Sequence, residues 1–290
     1  MIDDLTPLHQ LSQEMANADF YLYAPDKAYR MQQGGGWGRV NKKLVGENHP
    51  NGAIINYYIK DAKESDTISI ELLEMDGSLI QRFSNVAKAN KLDPSADKPL
   101  KVKSGGNRLI WNMRYPGFKT FKGMVFYSSP NRGPKAVLGD YKVRMSYNGQ
   151  VSEETLTIVK DPRMPNTNED YQKQFDFLMA VRDQVSRANT AITDIRTVKS
   201  DLDYLKGKKT VKKEMKDMIS EFESKLDIIE NNIHMTKNQS RQDPLNYGIR
   251  INNRLAFLMA DSQRGDYPPT DQAQEFFTEV TKELDVEVSA

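Results

Sequence analysis

Residues 141–165 read YKVRMSYNGQVSEETLTIVKDPRMP, and this stretch contains the change of pattern that decides the fold. Residues 141–147 alternate apolar and polar side chains, the period of a strand with one buried face. Asn148-Gly149 suits a two-residue turn, so the sequence predicts a β-hairpin that continues through Val159. The two prolines within 161–165 then end strand pairing.

Strand patterns also precede this hairpin. Residues 68–72 alternate Ile, Ile and Leu with polar neighbours, and Asp76-Gly77 suits a second tight turn. Alternation around Trp111 predicts a further strand, and a weaker one is predicted at Gly123–Tyr127. About seven strands with no long helical segment between them predict mostly antiparallel connections, which are typical of a β-sandwich of immunoglobulin or fibronectin type.

The residues that follow Pro165 change to a helical period. Apolar side chains step by three or four residues from Leu178 to Leu205, and Gly207 ends that helix. A second apolar seam runs from Val211 to Ile233, after a short lysine-rich turn. The sequence therefore predicts an antiparallel helical hairpin, which two shorter helices near 246–261 and 271–286 complete as a small bundle.

Three regions follow from these patterns. Residues 1–50, with three adjacent glycines, are predicted to be an irregular linker. Residues 51–162 are predicted to form the β-sandwich, and residues 166–290 the helical hairpin and bundle. The predicted fold class is α+β, multi-domain, with an antiparallel immunoglobulin/fibronectin-like β-sandwich followed by an antiparallel helical bundle.

Composition excludes several classes of function. The 290 residues include 41 Lys and Arg against 40 Asp and Glu, so a net charge of +1 gives no reason to expect nucleic acid as a partner. The absence of cysteine excludes disulfides, thiolate metal sites and cysteine nucleophiles. The longest apolar run, Leu255–Ala260, is far below the roughly 20 residues of a membrane span. Residues 1–20 show no signal-peptide pattern.

No metal, cofactor or catalytic group is predicted from the histidines or glycines. His9, His49 and His234 fall in three different regions, each without a second histidine or a suitably spaced carboxylate. The glycine-rich Gly34–Gly38 lacks the Gly-Lys-Ser/Thr ending of a phosphate loop, so a linker is the preferred interpretation.

Carboxylates and aromatic residues are the remaining candidates for site residues. Glu71 and Glu74 are interpreted as solvated edge or turn residues, so no catalytic carboxylate is assigned. Trp37, Trp111 and Tyr115 are the candidate binding residues, because exposed aromatic rings on a β-sandwich can stack against sugars. For Trp111 the preferred alternative is a core residue of the sandwich.

Several segments, taken in order, carry a resemblance that covers nearly the whole chain. The segments are Asp3–Leu8, Gly46–Ala53, Asn107–Gly117, Gly133–Tyr141, Lys160–Arg163 and Gln239–Asn246. Together they resemble the C-terminal region of large secreted bacterial proteins with Asp-box (BNR), sortilin-type β-propeller repeats, which are named glycosyl hydrolases. This chain has no Ser-x-Asp-x-Gly-x-Thr-Trp box, so the resemblance implies a post-propeller piece, either a truncation or a split gene product.

The resemblance implies a partner, a location and a role. The partner is the β-propeller domain of the parent protein, and the location is secreted, periplasmic or at the cell surface. The expected role is a non-catalytic C-terminal accessory module, structural and binding a glycan or a protein, so the chain alone is not expected to be an enzyme. The alternatives are a glycoside hydrolase with paired carboxylates and a protein-interaction module that uses the helical hairpin, which an exposed apolar stripe along Leu178–Leu205 would favour.

Overall fold

The computed structural model describes residues 5–31 and 49–290 and shows an α+β protein, as predicted. The strands are β1 (Phe20–Leu22), β2 (Ala28–Arg30), β3 (Ala53–Ile59), β4 (Ile68–Leu73), β5 (Leu79–Ser84), β6 (Lys98–Pro99), β7 (Gly105–Trp111), β8 (Gly139–Tyr147) and β9 (Gln150–Lys160). The helices are α1 (Thr6–His9), α2 (Gln13–Asn17), α3 (Asn168–Lys206), α4 (Lys213–Ile233), α5 (Pro244–Tyr247), α6 (Ile251–Ser262) and α7 (Asp271–Ser289).

The strands form two sheets. The smaller sheet has the order β1-β3-β7, and the larger one has the order β2-β9-β8-β4-β5-β6. Buried side chains of both sheets belong to one hydrophobic core, and the β-structure has the form of a curled half-barrel. The pairing is antiparallel except between β2 and β9 and between β5 and β6. The predicted linker 1–50 therefore needs correction, since its described residues contribute β1 and β2 to the two sheets.

Both predicted hairpin turns are present. Gly77 follows Asp76 with a φ of 94°, and Asn148 and Gly149 have φ values of 48° and 87°. The Asn148 side chain fixes the second turn further, because its Oδ1 accepts from the Thr67 backbone N–H at 2.9 Å. The local turn chemistry sets the register between β8 and β9, in which Tyr147 lies opposite Gln150.

The elements belong to two compact units. The first unit contains the described residues up to Asn90, together with Ser95–Pro116 and Lys135–Tyr171. The second contains Lys91–Pro94, Gly117–Pro134 and Gln172–Ala290. Residues 117–134, which the sequence places in the sandwich range, thus belong to the helical unit.

The strand predicted at Gly123–Tyr127 is wrong. This segment pairs with no described strand, and Gly123 has a φ of 83°, outside the strand region. Its apolar side chains instead serve the helical unit, whose core includes the buried Phe118 and Phe121 with Phe126 packed against it.

The predicted helical hairpin is confirmed. Thr167 caps α3, since its Oγ1 accepts from the Asp170 backbone N–H and the Asp170 carboxylate accepts from the Thr167 N–H at 2.8 Å. The helix ends at Lys206, directly before Gly207. Ion pairs between α3 and α4, such as Arg196 with Glu230 at 2.8 Å, show that the two helices run antiparallel. No helix within the described residues combines the length and apolar character needed to cross a lipid bilayer.

Candidate functional site

The candidate site lies on the face of the β1-β3-β7 sheet that points away from the core. Strand β3 alternates: Ile55 and Tyr57 are buried in the core, whereas Asn56 points to the opposite face. Asn56 lies directly opposite Arg108 of β7, and Arg108 Nε donates to Asn56 Oδ1 at 3.3 Å. Asn56 is 8% exposed, so this buried amide orients a guanidinium group whose own residue is exposed.

A cavity of about 990 Å³ lies over this face. Its lining combines the sheet, the N-terminal segment and the chain before β3: Leu5, Thr6, His9, Gln10, Asp26, Lys27, Ala28, His49, Pro50, Gly52, Ile54, Asn56, Arg108 and Ile110. The N-terminal wall is held in place by Gln10, whose side-chain amide both donates to the Ala24 carbonyl and accepts from the Ala24 N–H at 2.9 Å.

A second cavity of about 550 Å³ shares Asn56 and Arg108 with the first. Its other lining residues are Pro7, Tyr23, Tyr57, Lys101, Val102, Lys103, Gly106 and Asn107. Asn107 fixes the loop that carries the lysines: its Oδ1 accepts from the Lys103 N–H at 3.0 Å, and its Nδ2 donates to the Lys103 carbonyl at 2.7 Å. We refer to the two adjoining cavities together as the sheet cleft.

The sheet cleft is rich in hydrogen-bonding groups and in positive charge. Lys27, Lys101, Lys103 and Arg108 line it, while Asp26 is the one carboxylate among its described lining residues. Burial raises the pKa of Tyr57 to about 12 and also raises that of Tyr23, and both phenols, like a free phenol, are protonated at neutral pH. The arrangement can therefore bind a polar ligand through fixed donors and cationic groups.

Trp111 lies in the core and not in the sheet cleft. It is 1% exposed and packs edge-to-face against Tyr141, with ring centroids 5.8 Å apart. Its Nε1 donates to the Arg114 carbonyl at 3.2 Å. Because no ring face is open to solvent, Trp111 cannot serve as a sugar-stacking platform in this structure. Its proposed role as a binding residue is corrected to that of a core residue.

Of the other two aromatic candidates, Tyr115 does not line the sheet cleft. Tyr115 is half-buried against the core of the first unit, and its hydroxyl donates to Glu74 Oε1. Trp37 lies outside the described residues.

The interpretation of Glu71 as a solvated residue is wrong. Glu71 is 7% exposed and accepts from Arg82 Nε at 2.7 Å and from Arg144 at 3.3 Å. Glu74 is half-buried, and loss of hydration raises its pKa. These carboxylates are structural: Glu71 links β4 to its neighbours β5 and β8, where Arg82 and Arg144 lie directly opposite.

The structure brings two of the three histidines to one place. His9 and His49 both line the larger cavity, although nothing in their sequence context predicts that they meet. His234 lies in the helical unit, in edge-to-face contact with Phe121 at 4.9 Å. Within the part of the chain that the structure describes, no three or more His, Asp or Glu side chains are grouped so that they could hold a metal ion.

One feature of the sequence points to the sheet cleft. Asn56 interrupts a strand whose neighbours are otherwise Ile and Tyr, and a polar residue in such a strand marks a position that needs a hydrogen-bonding partner. Its partner, Arg108, belongs to another strand, so only the register between β3 and β7 identifies the pair.

Comparison of the sequence with models of known protein families gives no match, and comparison with curated proteins gives none either.

Proposed function

We propose that this chain is a non-catalytic accessory module that binds a glycan in the sheet cleft. The observation that carries the proposal is the oriented Asn56–Arg108 pair, which lies on the sheet face and lines both adjoining cavities. Binding sites of this kind use a few fixed polar groups to orient the ligand. Binding needs no nucleophile or general base.

The wider context of the proposal comes from the resemblance in the sequence. The module would extend a β-propeller of a glycosyl-hydrolase-like parent protein and act in the periplasm, at the cell surface or outside the cell. An immunoglobulin- or fibronectin-like arrangement of the two sheets belongs to the same proposal. It is supported by the single core that both sheets share and by the buried Trp111 within it.

Glycoside hydrolysis is less well supported by this geometry. Hydrolases of most families place two carboxyl groups about 5–10 Å apart across the scissile bond. Among the described residues that line the sheet cleft, Asp26 alone is acidic, and it already accepts a hydrogen bond from the Thr6 hydroxyl.

A glycan-array screen of the pure chain, with hydrolysis products assayed in the same wells, tests the proposal. We expect binding without turnover. The variant Arg108→Ala should weaken that binding about tenfold or more, because it removes the charged donor that the two cavities share. The matched control is Arg264→Ala, which removes an exposed arginine of the helical unit that forms a salt bridge with the nearby Asp261.

Two results would contradict this proposal. Release of reducing sugar by the wild-type chain would show that it is catalytic. Equal binding by the wild type, Arg108→Ala and Arg264→Ala would place the ligand outside the sheet cleft.

A second candidate function is protein interaction through the α3–α4 hairpin. It is favoured by the part of the hairpin next to the turn between these two helices. The part of α3 far from this turn is covered, because its apolar residues are all buried: Leu178, Val181, Val185, Ala188 and Ile192. In contrast, α4 exposes Met215, Met218 and Phe222, which share one helix face, and Met218 is 65% exposed. Large exposed apolar side chains on one helix face are typical of interaction surfaces.

The partner that fits this exposed face of α4 is a second copy of the chain. Exposed lysines, among them Lys209 and Lys212, surround the turn before α4, whereas α7 exposes Glu275 and Glu279 beside Thr278. The lysine-rich turn of one copy and the exposed glutamates on α7 of another therefore carry opposite charges that complement each other.

Sedimentation velocity over a concentration series tests this second function. We expect the wild type to self-associate at low salt and the double variant Met215→Ser/Met218→Ser to stay monomeric. The control is Ile228→Ser, which changes an equally exposed residue on another face of α4 and should self-associate like the wild type. A wild type that is monomeric at every concentration excludes the second copy as partner.

A further inference from the structure

We propose that the ligand of the sheet cleft is an acidic saccharide, one that carries uronate carboxylates or sulfate esters. This inference rests on the proposed glycan-binding function and adds the chemical class of the ligand. It follows from the charge and the rigidity of the smaller cavity, which Lys101, Lys103 and Arg108 line.

The charge of this cavity is one-sided. Its described lining residues include three cationic side chains and no carboxylate. Lys101 and Lys103 are both exposed, and neither forms a salt bridge with a carboxylate of the described residues. Cationic groups that converge on one concave site raise the local concentration of anions and attract an anionic ligand. The lining of the larger cavity adds one further cation, Lys27, and one carboxylate, Asp26.

The cationic groups are placed by a fixed framework. Arg108 is held by its hydrogen bond to the buried Asn56. The backbone of the lysine-bearing loop is held by Asn107, which also donates to the Gly105 carbonyl at 2.9 Å. The Lys101 carbonyl is the acceptor for the Tyr57 hydroxyl at 3.5 Å. Such pre-organisation reduces the entropy lost when a ligand binds, so even solvent-exposed charges can contribute.

The rest of the lining favours a saccharide over an acidic peptide. Asn56 and Asn107 present amide groups, and the half-buried Pro7 and Val102 supply a non-polar wall of the kind that contacts the C–H face of a sugar ring. A planar guanidinium can bind a carboxylate or a sulfate through two parallel hydrogen bonds. An acidic peptide offers the charge but not a ring for this wall.

Isothermal titration calorimetry with matched oligosaccharides tests the inference. The probes are an oligogalacturonate, its fully methyl-esterified and therefore neutral form, and a poly-glutamate peptide of similar charge. At 50 mM NaCl we expect the oligogalacturonate to bind about tenfold more tightly than the neutral ester and than the peptide. Its affinity should fall as NaCl is raised to 500 mM, because salt screens exposed charges.

The variant Lys101→Gln/Lys103→Gln provides the second arm of the experiment. It should weaken binding of the oligogalacturonate about tenfold and leave binding of the neutral ester unchanged. The matched control is Lys119→Gln/Lys122→Gln, which alters two exposed lysines of the helical unit with the same change in net charge. This control should bind both saccharides like the wild type.

The outcomes separate the inference from the function on which it rests. Equal binding of the acidic and neutral saccharides overturns the acidic class but leaves glycan binding in place. Equal binding of oligogalacturonate and poly-glutamate overturns the saccharide, as does an unchanged affinity in Lys101→Gln/Lys103→Gln. If no saccharide of the array or of this set binds, both the inference and the proposed function are wrong.

Discussion

Trp111→Ala is expected to lower the free energy of unfolding of the first unit by about 3–5 kcal/mol. The indole is buried within the core that both sheets share, and its removal would leave a cavity against Tyr141. It would also leave the Arg114 carbonyl without the donor that now satisfies it. Urea unfolding followed by far-UV circular dichroism measures the change without relying on tryptophan fluorescence.

The neighbouring residue on β7 provides a matched control for this prediction. Ile110 is 45% exposed, so Ile110→Ala should cost less than about 1 kcal/mol. If Trp111→Ala unfolded at the wild-type urea concentration and instead lost glycan binding, the ring would have to be an accessible ligand platform and its core placement would be wrong.

His234 is the second residue for which a large effect is expected, and the effect depends on pH. Its ring lies between Phe121 and Phe126 in the helical unit, with Asn252 Nδ2 3.2 Å from its Nδ1. Burial lowers its pKa to about 4, and the nearby Arg196 acts in the same direction. Glu230, which faces the same region, acts in the opposite direction, and it is paired with Arg196.

The sign of the effect follows from the two pKa values. The unfolded chain takes up a proton on this histidine near pH 6.5, whereas the folded chain does so only near pH 4. Between these values the unfolded state binds more protons, so stability is full above pH 6.5 and falls as the pH is lowered toward 4. The expected loss from this residue is about 3 kcal/mol.

Urea unfolding at several pH values between 7.5 and 4.5 measures this loss. In His234→Gln the stability should depend less on pH than in the wild type, since that variant carries no titrating group at this position. The control His9→Gln removes a solvent-exposed histidine and should keep the wild-type dependence. The same pH dependence in the wild type and in His234→Gln would show that His234 does not contribute.

Those parts of the fold that depend on local chemistry could be predicted from the sequence. The Asn148-Gly149 turn needs only its own backbone preference, and the start of α3 needs only Thr167 and Asp170. The repeat of apolar residues along α3 predicts a helix without any knowledge of what packs against it. The strands β1 and β2 were missed because each is three residues long, too short to show a period, and each pairs with a distant strand.

The segment 117–134 was misinterpreted for a different reason. Phe118, Phe121, Met124 and Phe126 give it the apolar content of a strand, but their burial in the helical unit depends on packing that the sequence does not display. The sheet cleft was missed because its residues come from separate segments. Asn56 and Arg108 meet only when β3 and β7 pair, and the histidines of the larger cavity come from either side of β1 and β2.

The segment 117–134 also limits how this molecule can be divided at the level of the gene. Its residues Phe118 and Phe121 complete a hydrophobic core whose other members follow Gln172. A gene fragment that started at residue 166 would encode every long helix and still lack these two aromatic side chains. The helical unit therefore cannot be inherited, exchanged or expressed as one contiguous gene segment. During synthesis the ribosome adds Phe118 and Phe121, which belong to the core of this unit, before it makes β8 and β9, the last strands of the sheets.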